Sequence, residues 1–472
     1  MTELTSDLAI IGSGSGNTLV SSFWEGKRVV IAEKNPRFGG TCLNFGCIPT
    51  KMFVRTSMVA RSPEEAERLD VRQHTDSVDW RAIRDRIFGR TDAASASGKK
   101  YRERADNVTL ISETVRLTGL KSFKAANGTR VEADHLVLAA GSRPVLPDVP
   151  GIDLPRVHTS DTVMRIGELP RKIVILGGGY VACEFAGIFS GLGSEVVQIN
   201  RGPRLMKKLD AEIQEAFQTE AGKHWEVRTG RTLEAITAKG SQQLTVEVAV
   251  SEDGSREFHD ADIVLVAQGR RPNSDLIGAA EVGIDLHEDG RVVVDEYLRV
   301  LAGGQAVPGL YALGDICSPK QLKHVANHQA RVVAHNLENP ANLREEGDMP
   351  IPAAVFSHPE LAEVGLTEAE ARETIGSENV TVKTQRYGDT AYGWAMEDTT
   401  GIFKVVADRR DGSVLGAHAM GYQASILIQP IVMAMSFGIP ALQAARGQYW
   451  PHPALMEVVE NALLGVESPS ED

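Results

Sequence analysis

Cysteine is scarce in this chain of 472 residues: only four are present, which excludes a small fold held together by several disulfides. The chain also lacks the run of about 18 apolar residues that a membrane-spanning helix needs, and its acidic N-terminus does not have the layout of a secretory signal. We therefore expect a cytoplasmic protein.

Positive charge is not in excess, because 63 acidic residues against 50 basic ones leave a net charge of −13. Nucleic acid and anionic membranes are therefore poor candidate partners.

Apolar sequence is plentiful: 42% of the residues are apolar and 24% are charged. With this length, the composition indicates about three globular domains with ample cores.

Two of the four cysteines stand close together in the segment 39–51, which reads GGTCLNFGCIPTK. On a regular helix Cys42 and Cys47 would lie roughly 8 to 9 Å apart, whereas a disulfide needs Cα atoms about 4.4 to 6.8 Å apart. Gly46 and Asn44 tolerate unusual backbone dihedrals and so permit a bend, and Pro49 fixes φ where a helix could start, so the segment can close a disulfide just ahead of a helix. The helix N-terminus would lower the pKa of the nearer thiol, expected to be Cys47. The pattern predicts a redox-active pair.

Two other interpretations of this pair stay open from the residues alone. The thiols could be inert core residues, or half of a zinc site, although no second cysteine pair with matching histidines follows. Cys183 lies in an apolar run and Cys317 follows Asp315 in a loop, so both are expected to be buried small residues rather than redox partners.

The chain contains two similar segments, 8–17 (LAIIGSGSGN) and 173–182 (IVILGGGYVA). Each consists of a short apolar strand, a glycine turn and a helix start, which resembles the opening of a dinucleotide-binding βαβ unit. In the first copy Asn17 replaces the usual third glycine. A second strand then ends in Glu33, 21 residues after Gly12, where a carboxylate can bind a ribose 2′-hydroxyl. Two such units predict two bound nucleotides.

The second copy has no carboxylate at the corresponding position, because its second strand ends in Asn200 and Arg201. A carboxylate would repel a 2′-phosphate, whereas Arg201 and Lys207 could bind one directly. This pattern favours NADPH over NADH. The alternative is a solvated basic loop with no ligand, since such runs of charged residues usually lie on the protein surface without a binding role.

Two further segments, here called the echoing strings, have similar sequences: 136–144 (LVLAAGSRP) and 264–272 (VLVAQGRRP). Both are apolar strands broken by glycine and proline, as expected where the chain crosses between domains. The second nucleotide unit is therefore predicted to be inserted within the first. After Pro350 the pattern changes to alternating strands, such as 401–406, and amphipathic helices, which indicates a separate domain.

Taken together, these motifs resemble the flavin-dependent pyridine nucleotide disulfide oxidoreductases of the glutathione reductase and dihydrolipoamide dehydrogenase type, almost from end to end. The resemblance implies an α/β fold with two Rossmann-like dinucleotide-binding domains, one inserted in the other, and a C-terminal α+β dimerisation domain. It also implies FAD and NADPH as cofactors. The expected boundaries are 1–148 and 271–346 for the FAD-binding domain, 149–270 for the NADPH-binding domain, 347–465 for the dimerisation domain and 466–472 for a disordered acidic tail.

The resemblance also implies roles for individual residues. Lys51 and Glu184 match an ion pair beside the flavin N5, and Tyr180 matches a side chain that covers the flavin until nicotinamide displaces it. The other cofactor-binding residues implied are Gly12, Gly14, Glu33 (for the adenosine diphosphate half of FAD), Gly16, Gly40, Thr41, Gly141, Gly314, Asp315 (for the ribityl chain), Gly177, Gly179, Arg201, Lys207 and Gly269.

A last motif, 448–457, reads QYWPHPALME. A histidine whose other nitrogen is held by a carboxylate can take and return protons near neutral pH. The resemblance implies that His452 and Glu457 form this pair and act on Cys42 of the other subunit of a homodimer. His324 and His328, four residues apart, could suggest a metal, but they match a helix start under the flavin, so no metal is expected.

The implied reaction is the reduction of a small disulfide to two thiols, with NADPH reducing FAD and the flavin reducing the pair through Cys47. Cys42 then attacks the substrate, and Cys47 resolves the mixed disulfide. Four strings, FGCIPTKMFV, HVANHQARVVAHN, YGDTAYGWAMEDT and GQYWPHPALMEVVENALLG, resemble the family members that act on the disulfide of the sugar-based bacterial thiol mycothiol. The alternatives are an NAD-dependent dihydrolipoamide dehydrogenase subunit and a glutathione-type disulfide reductase.

Overall fold

The computed structural model of the chain describes residues 2–467, and positions 468–472 of the predicted tail lie outside this range. The first part of the chain builds a sheet in which β6, β1, β2 and β3 lie side by side and parallel. Its strands are β1 (Glu3–Ile11), β2 (Val29–Ala32), β3 (Val108–Ile111), β4 (Val115–Gly119), β5 (Ser122–Ala125), β6 (Arg130–Leu138) and β7 (Ser142–Pro144). Its helices are α1 (Gly40–Asn44), α2 (Cys47–Ala60), α3 (Ser62–Arg68) and α4 (Trp80–Glu103). The central strands are apolar runs because helices and loops cover both faces of the sheet.

The first glycine turn is followed by short 3₁₀ helices, Ser15–Leu19 and Ser22–Trp24, so the predicted α-helix start at this position is wrong. The side chain of Arg102 explains the difference. Its guanidinium donates hydrogen bonds to the Asn17 carbonyl (2.8 Å) and to the Val20 carbonyl (3.4 Å). These oxygens therefore bind a side chain rather than the main-chain amides of a continuing helix.

The middle of the chain forms a second, five-stranded parallel sheet in the order β11–β10–β9–β15–β8, with an antiparallel sheet β12–β13–β14 beside it. Its strands are β8 (Val157–Thr159), β9 (Lys172–Leu176), β10 (Glu195–Asn200), β11 (Glu226–Thr229), β12 (Arg231–Lys239), β13 (Gln243–Val250), β14 (Arg256–Ala261) and β15 (Ile263–Val266). Its helices are α5 (Ser160–Val163), α6 (Tyr180–Gly191) and α7 (Ala211–His224). Here the glycine turn leads directly into α6, as the sequence predicted.

The two segments predicted to cross between the domains, 136–144 and 264–272, lie next to each other. β16 (Arg270–Pro272) pairs antiparallel with β7, and the chain then returns to the first sheet. The returning elements are β17 (Arg299–Ala302), β18 (Gln305–Ala312) and α8 (Lys323–Glu338), and 3₁₀ helices span Ala280–Val282 and Gly314–Ile316. Because β18 lies parallel beside β6, the insertion of one nucleotide-binding unit within the other is confirmed, and with it the α/β fold class.

The C-terminal part builds a five-stranded antiparallel sheet in the order β19–β20–β23–β22–β21. Its strands are β19 (Ala353–Val355), β20 (Leu361–Gly365), β21 (Val380–Arg386), β22 (Ile402–Asp408) and β23 (Val414–Met420). Its helices are α9 (Glu368–Ile375), α10 (Ala391–Ala395), α11 (Ala424–Leu427), α12 (Gln429–Ser436), α13 (Ala441–Arg446) and α14 (Glu457–Leu464), with 3₁₀ helices at Ser377–Asn379 and Tyr387–Asp389. The predicted alternation fails in β22, because every residue of that strand is buried.

The ordered chain continues past the predicted end of the C-terminal domain. Val466 is buried, and the Glu467 amide donates a hydrogen bond to Thr381 Oγ1 (3.0 Å). Among the helices described, none has both the length and the apolar character required to cross a bilayer.

A buried lysine joins the inserted unit to the C-terminal domain. Lys404, on β22, is 3% exposed, and its ammonium lies 2.8 Å from Asp210 and 2.7 Å from Glu368. Asp210 caps α7 of the inserted unit, and Glu368 begins α9 of the C-terminal domain. Since a buried charge needs nearby partners, this cluster holds the two parts together at one place.

Candidate active site

The Cys42–Cys47 segment bends between two helices, as the sequence predicted. Helix α1 carries Cys42, α2 begins at Cys47, and Phe45 and Gly46 lie between the two helices. Asn44 does not supply the bend. Its side chain is buried and donates hydrogen bonds to the carbonyls of Phe38 and Gly40, each 3.0 Å long, so it fixes the turn that precedes Cys42.

Both cysteines are free thiols, so the structure shows the dithiol form of the pair, and the disulfide stays a prediction. The two thiols interact, and the pKa of Cys47 falls to about 7 because Cys42 donates a hydrogen bond to its thiolate and Lys51 adds a positive charge. The same interaction and burial raise the pKa of Cys42. The position of Cys47 in the first turn of α2 also favours its thiolate. The pair therefore holds one stabilised thiolate, on Cys47.

This asymmetry predicts the pH dependence of the reduced enzyme. Since the pKa of Cys47 is lowered to about 7, its thiolate should predominate above that pH and be lost as the pH falls below it. The thiolate-to-flavin charge-transfer absorbance of two-electron-reduced enzyme, followed against pH, measures this titration. A midpoint near the ordinary range of a cysteine thiol, about 8.5, would contradict the assignment.

An ion pair lies beside the Cys47 helix turn. Lys51 Nζ is 2.5 Å from Glu184 Oε1, and Glu184 is buried in α6 of the inserted unit. The Phe356 amide donates to the same carboxylate oxygen (2.9 Å), and the Phe356 ring lies under the lysine ammonium. Tyr180, at the start of α6, is 41% exposed. Three parts of the chain therefore meet at this point: α2, α6 and the start of the C-terminal domain.

The first glycine turn forms a tightly packed cradle that could hold a dinucleotide. Gly12 has a φ of +108°, and a Cβ there would lie 2.2 Å from the Ala139 carbonyl oxygen. A Cβ on Gly40 would lie 2.6 Å from Gly14 Cα, so the loop and the start of α1 touch through bare backbone. Gly16 is equally confined, since a Cβ there would lie 2.8 Å from Ile10. These close approaches fit the pyrophosphate of FAD.

The carboxylate of Glu33 is held at the edge of this cradle by Ser13, whose amide and hydroxyl both donate to it at 3.0 and 2.7 Å. The Ser13 hydroxyl also accepts the Gly39 amide (2.8 Å), which ties the loop to the turn before α1. This placement suits the contact with a ribose hydroxyl predicted for Glu33. Ser13 could not be predicted as a site residue, because a serine between two motif glycines carries no signal of its own.

Hydrogen bonds hold the carboxylate of Asp315, the residue predicted to bind the ribityl chain. Ser142 Oγ donates to Asp315 Oδ2 (2.6 Å), and Arg270 Nε donates to Ser142 Oγ (2.8 Å). Ser142 and Arg270 were not predicted as site residues, although both belong to the two echoing strings. Of the remaining predicted contacts, Thr41 lies in α1, Gly141 has φ +66° after β6, and the Gly314 amide donates to Gln329.

Replacement of Gly12 by alanine is expected to destabilise the fold and release FAD. The left-handed φ and the contact with the Ala139 carbonyl together should cost about 2 to 4 kcal/mol. Urea unfolding and the FAD-to-protein ratio of the purified variant measure both effects. Gly89→Ala, in α4 with no heavy atom within 4 Å of its new Cβ, is the matched control and should be neutral or slightly stabilising. Equal FAD content in the two variants would contradict the assignment.

The inserted unit repeats this glycine cradle, which could hold the second nucleotide. Gly177 has a φ of +137°, and a Cβ there would lie 2.3 Å from the Ala267 carbonyl oxygen. Gly179 caps α6, and nothing lies within 4 Å of a Cβ placed on it, so a ligand can approach the helix N-terminus. Gly269, at φ +126°, begins the return crossing.

Asn200 organises the basic loop that follows β10. Its side-chain amide donates to the carbonyls of Gly202 (3.0 Å) and Arg204 (2.9 Å). A carboxylate at this position could not donate either hydrogen bond. Arg201 and Lys207 are exposed, and neither forms an ion pair with any residue between 2 and 467, so both remain available to a phosphate.

His452 and Glu457 form a separate pair in the C-terminal domain. His452 Nδ1 lies 2.5 Å from Glu457 Oε1, and the histidine side chain is 68% exposed while the glutamate is 15% exposed. Within the part of the chain that the structure describes, no hydrogen bond joins His452 to Cys42. The structure thus brings Cys42, Cys47, Lys51 and Glu184 together but leaves this pair outside that group.

Other candidate groups have structural partners. His324 Nε2 pairs with the Pro352 carbonyl (2.9 Å), and His328 Nε2 pairs with the Glu346 carbonyl (2.7 Å), so the two imidazoles do not converge on one point. Cys183 and Cys317 are buried, as predicted, and burial raises the pKa of Cys183 to about 12.

One further cluster contains possible metal ligands. Glu64, His224 and His358 place one ligand atom each within 4.8 Å of one another. Arg61 Nη1, however, lies 3.3 Å from His224 Nδ1 and 3.5 Å from Glu64 Oε1. A divalent cation would meet this positive charge, so we assign no metal to the cluster.

Comparison with known proteins agrees with the geometry. The profile described as "Pyridine nucleotide-disulphide oxidoreductase" matches residues 6–330, and that of the family's dimerisation domain matches residues 351–463. Mycothione reductase of Mycobacterium tuberculosis (strain CDC 1551 / Oshkosh) is 48% identical over 98% of this chain and 99% of its own length. Glutathione reductase of Burkholderia cepacia is 33% identical over 91% of this chain and 92% of its own length.

Among solved structures, the HOCl-induced flavoprotein disulfide reductase RclA from Escherichia coli superimposes with a TM-score of 0.84 and 25% identity, covering 98% of this chain and 100% of that chain. The chain therefore belongs to the pyridine nucleotide-disulphide oxidoreductase family, and is an oxidoreductase that uses FAD and NADPH.

Proposed function

We propose that this enzyme reduces mycothione, the disulfide of mycothiol, to two thiols and so maintains the reduced thiol pool of its cell. The observation that carries the substrate assignment is the 48% identity, over 98% of the chain, with the mycothione reductase of M. tuberculosis, against 33% with a glutathione reductase. The paired thiols at the start of α2 support the reaction type. We place the enzyme in the cytoplasm, where thiols are kept reduced.

In the proposed reaction, the glycine cradle around Gly12, with Glu33 and Asp315, would hold FAD, which would supply the two-electron chemistry that connects NADPH with the Cys42–Cys47 disulfide. The Cys42 thiolate then attacks one sulfur of the substrate, forming a mixed disulfide and breaking the substrate S–S bond. Cys47 attacks the Cys42 sulfur, which restores the internal disulfide and releases the second half of the substrate. The proton that Cys42 loses passes through His452 to the first departing thiolate, and the second departing thiolate takes up a proton from solvent.

Lys51 and Glu184 have the proposed role of positioning a positive charge beside the flavin N5. Glu184 is suited to this because it is buried and also accepts the Phe356 amide, so its carboxylate cannot swing away from the lysine. Tyr180, partly exposed at the start of α6, is proposed as the cover that nicotinamide displaces.

We further propose a homodimer in which His452 of the partner subunit serves Cys42. Two observations support this arrangement: the pair formed by His452 and Glu457 stands apart from the thiols within one chain, and residues 351–463 match a dimerisation domain. The C-terminal domain also exposes large apolar side chains, among them Ile426, Met433 and Phe437. Exposed apolar groups of this kind mark protein interfaces.

The basic loop is proposed to bind the 2′-phosphate of NADPH. Arg201→Ala or Lys207→Ala should raise the KM for NADPH by about 10- to 100-fold, the worth of a charge-assisted hydrogen bond, and leave the KM for NADH unchanged. Steady-state kinetics with both nucleotides measures the change. Lys239→Ala, on β12 of the same unit, is the matched control. If both KM values stay at the wild-type level, the loop is only a solvated surface.

The substrate assignment is tested by turnover of the holoenzyme with a panel of mycothiol, glutathione and lipoamide disulfides. We expect kcat/KM for mycothione to exceed that of the other two by about 100-fold or more, because hydrogen bonds to a polar substrate discriminate strongly. Preference for lipoamide together with NADH would instead identify a dihydrolipoamide dehydrogenase. Preference for glutathione disulfide would identify a glutathione-type reductase.

A further inference from the structure

The glycine turn after β1 is followed by only a short helix. Residues Ser15–Leu19 form a 3₁₀ helix of five residues, whereas the corresponding turn of the inserted unit leads into α6, which has twelve. A short helix aligns few peptide dipoles, so it supplies less positive charge to a phosphate group at its start than a long helix does. The first cradle therefore needs another source of positive charge for the pyrophosphate of FAD.

A carboxylate at the same turn increases this need. Glu33 accepts hydrogen bonds from the amide and the hydroxyl of Ser13, at 3.0 and 2.7 Å. That amide is therefore not free to bind a phosphate oxygen. The negative charge of Glu33 would also repel a pyrophosphate in the cradle, because like charges at short range oppose each other.

Lys323, the first residue of α8, places a cation at this turn. Its ammonium donates a hydrogen bond to Ser15 Oγ (2.8 Å), and Ser15 is 8% exposed and lies between Gly14 and Gly16. Ser15 Oγ in turn donates to Asn327 Oδ1, about one helical turn further along α8 (3.3 Å). The ammonium is therefore held at the middle of the glycine turn rather than in solvent.

The protein itself does not neutralise the charge of this ammonium. Ser15 is its only hydrogen-bond partner among residues 2–467, and no carboxylate in that range lies within ion-pair distance of it. A lysine ammonium has three donors, so two remain for another ligand. A second cation at the turn, Arg102, is directed instead to the carbonyl oxygens of Asn17 and Val20. Lys323 thus combines free donors with an unpaired charge where a pyrophosphate is expected.

We propose that Lys323 binds the pyrophosphate of FAD and supplies the positive charge that the short helix after the turn does not. Ser15 holds the ammonium in place, so the lysine is a further cofactor-binding residue, contributed by the part of the chain that returns after the inserted unit. A hydrogen bond from a charged donor of this kind changes an affinity by about 10- to 100-fold.

The dissociation constant of FAD from the purified holoenzyme tests the proposal. It is measured from the free FAD that passes an ultrafiltration membrane on serial dilution. Lys323→Met and Lys323→Gln are expected to raise it by about 10- to 100-fold. These neutral side chains differ in shape, so a packing defect in one of them does not decide the result. Lys323→Arg keeps the charge and should stay within about threefold of the wild type. Lys320→Gln, which removes an exposed lysine just before the same helix, should retain the wild-type value.

The reduction potential of the bound flavin shows which part of FAD the ammonium contacts. The charge of the pyrophosphate is the same in oxidised and reduced FAD, so the neutral variants should bind both forms more weakly to the same extent. Their potential should then stay within about 30 mV of the wild type, the shift that a tenfold difference between the two affinities produces in a two-electron couple.

Three results would overturn the proposal. The neutral variants could retain the wild-type affinity for FAD, or Lys323→Arg could lose as much affinity as Lys323→Met. A fall of the potential by more than about 30 mV would place the ammonium at the flavin ring instead of the pyrophosphate. Neither measurement uses a disulfide substrate, so failure of the wild type to reduce mycothione would overturn the proposed function without affecting these readouts.

Discussion

Replacement of Cys42 by serine should abolish turnover while FAD is still reduced by NADPH. The variant lacks the thiol that attacks the substrate, so the rate of disulfide reduction should fall by about 10⁴-fold or more, as when other enzymes lose their nucleophile. Cys47 remains at the start of α2 beside Lys51, so its thiolate should still give the charge-transfer absorbance. Steady-state turnover and anaerobic spectra of the same preparation measure both properties.

Cys47→Ser is the matched control, since it should lose both turnover and the charge-transfer absorbance. Substantial activity in Cys42→Ser would mean that the attacking thiol is the wrong one. If the absorbance disappears in Cys42→Ser and persists in Cys47→Ser, the roles of the two sulfurs are exchanged.

Hybrid dimers should reveal whether the active site is shared between subunits. His452→Ala alone is expected to lower turnover by about 10²- to 10⁴-fold, the usual contribution of a general acid–base residue. A hybrid of one Cys42→Ser chain and one His452→Ala chain would contain one site with both defects and one intact site. We therefore expect about half of the wild-type activity per dimer.

Two differently tagged chains, co-expressed and purified through both tags, yield this hybrid for steady-state assay. The matched control is a dimer in which one chain carries both substitutions and the other is wild type. If His452 acts across the interface, each site of this control has one defect, and activity should be lost. The reverse result, an inactive hybrid and a half-active control, would place His452 and Cys42 of one subunit in the same site.

The fold could be predicted because its signals are local and strong. The apolar strands before Gly12 and Gly177 and the paired strings around Arg143 and Arg271 predicted both nucleotide units and the insertion of one within the other. The helix after the first turn could not be predicted, because the carbonyls that would continue it bind Arg102, a residue 85 positions from Asn17. Side-chain contacts over such separations leave no pattern in the local sequence.

The residues of the site also divide into those that could be predicted from the sequence and those that could not. Glu33, Asp315 and the cysteines stand in motifs with fixed spacing, so they could be named from the sequence. Their supporting residues could not, since Ser13 and Arg270 act through contacts that only the folded chain creates. The burial of β22 could not be predicted either, because a lysine within a strand usually indicates an exposed position. Lys404 is buried here because the folded chain places Asp210 and Glu368 beside its ammonium.

The central claim is that Cys42 and Cys47 pass electrons from FAD to an external disulfide. Anaerobic titration of the oxidised holoenzyme with NADPH, followed by alkylation and peptide mapping, tests this claim most directly. We expect the charge-transfer absorbance to develop with the first equivalent of NADPH, and Cys42 and Cys47 to become alkylatable only after that addition. Absence of the absorbance, with both thiols already free in the oxidised enzyme, would contradict the account.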